Sequence, residues 1–97
     1  MPEVYFNIEW PDGSQESCYS PSTVIKDHLQ EGEEYSMQQF LLLVRQGLNE
    51  ASERVRQKYG YACSSAIDQL HSITHTAAGF GTQQKLKVRV KKIVSTG

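Results

Sequence analysis

The sequence predicts an α+β domain, with helices packed on one face of a small antiparallel-type sheet. Three observations lead there. "VYFNIEW" at residues 4–10 alternates and runs straight into a hairpin turn, an apolar stripe at helical spacing runs from Met37 to Tyr59, and "KLKVRVKKIV" at residues 85–94 alternates again. The order is strand, strand, short helix, long helix, third helix, strand. Residues 1–97 are read as a single domain, of a size that buries roughly 60–65% of its unfolded surface without metal or disulfide.

In the first strand Val4, Phe6, Ile8 and Trp10 share one face, with Tyr5, Asn7 and Glu9 on the other. "WPDGS" supplies Pro11 and Asp12 for the middle of a type I turn and Gly13 for the left-handed residue after it, a three-residue hairpin loop. If Trp10 faces Ser14, then Ile8 faces Glu16 and Phe6 faces Cys18. A carboxylate is a poor core neighbour, so the second strand is expected to be short, at an edge, or shifted by a bulge.

Pro21 discourages helix at Ser20, and Ser22 is placed to cap a two-turn helix carrying Val24, Ile25 and Leu29. His28, near its end, is expected to interact with the helix terminus. Ser36 and Gln39 form a capping box, with Tyr35 and Phe40 at the staple positions, so a long helix starts there. Met37, Phe40, Leu41, Val44, Leu48, Ala51, Val55 and Tyr59 form its stripe, and Gly60 is placed to end it left-handed. Ser64 or Ser65 is expected to cap the third helix, whose buried face is Ala66, Ile67, Leu70, Ile73 and Ala77, and "GFGT" stops it. In the last strand Leu86, Val88 and Val90 alternate with Lys85, Lys87, Arg89 and Lys91. Lys92 falls in the apolar parity, so the strand ends or bulges there.

No apolar run approaches the roughly 18 residues of a membrane span. "MPEVYFNIEW" has no basic start, apolar stretch and cleavage site, which places the chain in the cytoplasm. There, Cys18 and Cys63 are expected to stay as thiols. The net charge of −1 hides a gradient: residues 1–34 carry eight acids against Lys26 alone, while the last thirteen residues carry five basic side chains and no acid. Such asymmetry marks either a nucleic-acid surface or two ends, of one fold or of two subunits, that attract each other.

"WPDG", "CYSPS" and above all "LNEASERVRQKYGYACSSA" resemble a small bacterial family named for the nitrogen starvation response. The resemblance covers about residues 1–80, closest through Ala66, and leaves the basic tail from Lys85 outside. It implies gene neighbours that include a nitrilase, a radical-SAM protein, a flavin-dependent oxidoreductase and an acetyltransferase, and a link to nitrogen scavenging from nitriles or cyanide. It carries no catalytic or binding residue onto this chain.

Cys63 precedes a helix start, where amides and the helix dipole stabilise a thiolate. His71 and His75 lie two and three turns along that helix, out of its reach, so a thiol filling the turn is the better reading. Asp68, His71 and His75 share a helical face at chelating spacings, yet that face lies opposite Ala66, Leu70 and Ile73 and reads first as a solvated side. No metal site and no cofactor is assigned. The basic strand has no interleaved aromatics, and lysines also guard exposed strands, which argues against nucleic acid. "FLLLVRQGL" says more: Leu42 and Leu43 point away from the main stripe and call for cover, either from the same chain or from another subunit, and in a chain this short a homo-oligomer or an enzyme partner is the favoured expectation. Three functions remain in order: an accessory or binding protein, a small enzyme with a pocket around Tyr59, Tyr61 and Cys63, and nucleic-acid binding through the last strand.

Overall fold

The computed structural model describes residues 3–60, 64–80 and 86–96. Strands β1 (Glu3–Glu9), β2 (Gln15–Ser20), β3 (Glu34–Ser36) and β4 (Lys87–Thr96) form one antiparallel sheet in the order β2-β1-β4-β3. Helices α1 (Met37–Tyr59) and α2 (Ser64–Ala78) cover one face, and the core of Val4, Phe6, Ile8, Val88 and Val90 with Met37, Phe40, Val44, Leu48, Ile73 and Ala77 lies between the layers. The α+β class holds.

The hairpin has the expected register, with Phe6 opposite Cys18 and Ile8 opposite Glu16. The Trp10 amide donates to the Ser14 carbonyl at 2.8 Å, the Gly13 amide donates to the Trp10 carbonyl at 2.9 Å, and Gly13 takes φ +90°. Asp12 braces the turn by accepting from the Ser14 amide at 2.9 Å and the Ser14 hydroxyl at 2.6 Å. β2 is a six-residue edge strand, which is how the sheet accommodates Glu16. Its carboxylate accepts from Trp10 Nε1 at 3.0 Å and meets Cys18 Sγ at 3.8 Å, so the charge sits at the margin of the core with partners.

β4 bulges where parity requires it. Asn7 pairs with Lys92 and Ile8 with Val90, leaving Lys91 as the extra residue. The slip turns Ile93 back to the side of Val88 and Val90, where it packs against the core.

β3 is a fourth strand that the sequence reading missed. It pairs Tyr35 with Val88 and Glu34 with Arg89, and the loop before it extends the ladder: Gly32 N–H donates to Val90 O at 2.7 Å and Val90 N–H to Glu33 O at 2.9 Å.

The expected two-turn helix is instead a 3-10 helix over Thr23–Asp27. Three consecutive β-branched residues, Thr23, Val24 and Ile25, disfavour a regular α-turn, and short 3-10 pieces are the usual alternative. Ser22 still caps it, its hydroxyl accepting from the Val24 amide at 3.3 Å.

α1 starts and stops as expected, with the Ser36 hydroxyl accepting from the Gln39 amide at 3.2 Å and Gly60 left-handed at φ +83°. Its stripe is buried from Met37 through Val55 except for half-buried Leu41, but Tyr59 is 51% exposed. Tyr59 stands in the last turn of the helix, next to the left-handed Gly60 that ends it. On α2, Ala66, Ile73 and Ala77 are buried and Leu70 half-buried, while Ile67 is 42% exposed, against expectation. α2 packs on one flank of α1 and on the β2 edge, where Gln69 Oε1 accepts from the Tyr19 amide at 2.9 Å, and this contact covers only a narrow stripe. Both Ser64 and Ser65 lie inside the helix, and the residue before them falls outside the described residues.

Candidate functional site

Where α1 and α2 lie side by side, Arg45 from the first and Leu70, His71, Thr74 and His75 from the second line an open cleft of about 390 Å³. His71 and His75 stand one turn apart on α2, so their side chains project together. Leu70, half-buried against the core, forms an apolar floor. The Thr74 hydroxyl donates to the Leu70 carbonyl at 2.7 Å, so towards the cleft it offers an acceptor oxygen.

Among the described residues, the cleft is lined by three basic side chains and no carboxylate. Asp68, which sequence spacing had grouped with the two histidines, does not line it, and among the described residues no group of three or more His, Cys, Asp or Glu is placed to hold a metal ion. Arg45 was not singled out from sequence because its partners are on another helix. The available signal was its place one turn after Leu41 and one turn before Leu48, on the flank of α1 that a following helix would cover.

Beside the cleft, one turn before Arg45, Leu42 is 53% exposed. Leu43 departs from expectation: it is half-buried and packs against the core. It lies one turn before Gly47, where Ile25 of the 3-10 helix closes on α1, so that segment covers the flank the sequence reading had left open.

The basic strand meets the acidic third of the same chain. Arg89 is in register with Glu9 on one side and Glu34 on the other, with 3.5 Å between Arg89 Nη2 and Glu34 Oε2. Glu31 accepts from the Ile93 amide at 3.2 Å. Arg89 and the Ile93 amide are thus the points at which the basic strand meets acids of the same chain. Lys87, Lys91 and Lys92 are exposed, and Lys85 lies outside the described residues. Tyr5 and Tyr19 pair on the open sheet face at 5.6 Å between ring centroids, with Val94 opposite Tyr5.

The family model of the nitrogen starvation-induced protein NitG matches residues 5–93, nearly the whole of this arrangement. The chain belongs to the NitG family. The match runs through Ile93 and so takes in the basic strand that the motif resemblance had left out. No curated protein and no solved structure matches the chain.

In this NitG-family chain the described candidates Tyr59, Cys18 and His28 come from different parts of the fold. Cys63 and Tyr61 lie outside the described residues, and Tyr59, with Lys58 Nζ 5.6 Å from its ring centroid, stands at the exposed end of α1. Cys18 is buried in the core, and burial, reinforced by the Glu16 carboxylate, pushes its thiol far up from the ordinary range, so it is a packing residue and a poor nucleophile. His28 caps the end of its own 3-10 helix, its amide donating to the Ile25 carbonyl at 3.1 Å, while its imidazole Nε2 pairs with Glu50 Oε2 on α1 at 2.9 Å. No helix among the described residues is long and apolar enough to cross a membrane.

Proposed function

We propose that this NitG-family chain is a small cytoplasmic accessory protein of the nitrogen-starvation response, acting as one α+β domain by binding and not by turnover. It docks through the outer face of α1 and α2, on a second copy or on an enzyme that releases nitrogen from nitriles or cyanide. The exposure of Leu42 carries this reading. A leucine more than half open to water forgoes a good part of the roughly 1.5–3 kcal/mol that its burial would give, and Ile67 of α2 is exposed as well. The preference for binding is supported by the state of Cys18, the one described thiol, which is buried and held protonated.

Light scattering across a concentration series tests the docking. The expected result is a species larger than the monomer, alone or mixed with the purified enzymes encoded beside it, that Leu42→Asp dissociates while helical circular dichroism is retained. A protein that stays monomeric at high micromolar concentration in both settings would overturn it.

A further inference from the structure

We infer that the cleft between α1 and α2 binds a small organic dicarboxylate, held by Arg45, His71 and His75 over Leu70. The argument starts from the histidine pair. Two imidazoles at i and i+4 on one helix are, taken alone, as suited to a divalent metal as to an anion. The fold decides between them by bringing Arg45 into the same cleft. A guanidinium keeps its charge at any pH the protein meets and cannot act as a ligand, so it opposes a cation and favours an anion.

The neighbouring acids do not cancel that charge. Asp68 lies one turn before His71 but does not line the cleft. On α1, neither Glu50 nor Glu53 lines the cleft, and Glu53 is paired with Arg56 at 2.8 Å and 3.0 Å.

The shape of the donors selects the class of anion. The planar fork of Arg45 matches a carboxylate edge-on, and the two imidazoles, roughly 5–6 Å apart at their Cβ atoms, are spaced for a second carboxylate. Leu70, which lines the same cleft, offers apolar contact to a carbon chain, which inorganic phosphate lacks. Thr74 takes no part as a donor, because its proton is given to the Leu70 carbonyl. The inference does not rest on the docking proposal, since an exposed cleft can fill in a monomer.

Succinate is the probe. Titration of the intact protein, followed by the imidazole signals in heteronuclear NMR and by calorimetry, is expected to give saturable one-site binding with Kd below about 1 mM, a free energy beyond about −4 kcal/mol. His71 and His75 signals should move while those of His28 stay fixed. Arg45→Gln should weaken binding at least tenfold. Arg45→Lys, which keeps the charge and loses the fork, should weaken it nearly as much. Arg45 is exposed, so circular dichroism of each variant should match the parent. Absence of saturable binding, indifference to Arg45→Gln, or tighter binding of inorganic phosphate than of succinate would overturn the assignment. So would submicromolar zinc binding that requires His71 and His75.

Discussion

The side chain of Ile25 occupies the space that a Cβ on Gly47 would need, so the 3-10 helix and α1 touch at the one residue of α1 without a side chain. Glycine inside a helix costs about 0.5–1 kcal/mol relative to alanine, and overpacking a full core costs about 1–3 kcal/mol. Ile25 is fully buried and has nowhere to retreat, so Gly47→Ala is expected to destabilise by about 1 kcal/mol net. Ile25→Val removes the clashing methyl at a cost of about 0.5–1.5 kcal/mol. The double variant should therefore be more stable in urea than the sum of the singles predicts. Strict additivity would show that the two residues are not in contact.

Trp10 is 3% exposed, with its ring stacked on Phe80 at 5.6 Å, edge-on to Phe40 at 5.9 Å, and its indole N–H donating to Glu16. Glu16→Ala strands that donor and is expected to cost about 1–3 kcal/mol, while Glu16→Gln keeps an acceptor and should cost less. Tryptophan fluorescence through a urea titration measures both.

Cys18 should resist alkylation in the native protein. In a Cys63→Ser background, modification is expected to occur only as fast as the chain opens, and to accelerate steeply in denaturant. The buried thiol stays protonated in the folded state, whereas the unfolded chain titrates near the ordinary 9.0. Below that value both states hold the proton and pH has no effect through this group. Above it the unfolded chain loses the proton first, so stability should fall as pH rises from about 9.0, and Cys18→Ala should flatten that limb.

In the hairpin turn, the hydroxyl and amide of Ser14 hold the Asp12 carboxyl below its ordinary 3.8. The turn is thus supported above pH 3.8 and loosens as pH falls through the depressed value. Carbon-detected titration of Asp12 should show the lowered midpoint, and Ser14→Ala should return it towards 3.8.

Local patterns reported themselves well in the sequence. The parity of Phe6, Ile8 and Trp10 with the "PDGS" turn set the hairpin register, Lys92 in an apolar slot announced the bulge, and Ser36 with Gly60 bracketed the long helix. β3 escaped because three residues are too few to show a period, and because Ser36 ends the strand while also capping the helix. Tyr59 and Ile67 were assigned to buried faces because angular counting finds the stripe of a helix but not the extent of the surface it rests on. The candidate site was half legible. His71 and His75 show their spacing in one line of sequence, but Arg45 joins them only through the packing of α1 on α2, and it changes the chemistry from metal-like to anion-like.

The adjacency of β1 and β4 sets a clock on biosynthesis. At roughly 5–20 residues per second, a ribosome needs several seconds after finishing β1 to deliver the strand that lies beside it. Until then the nascent chain has a hairpin and two helices, and Phe6 and Ile8 lack half of the surface that will enclose them. Unlike a helical bundle built on local contacts, this sheet depends on pairing two strands far apart in the sequence, the kind of contact that slows folding.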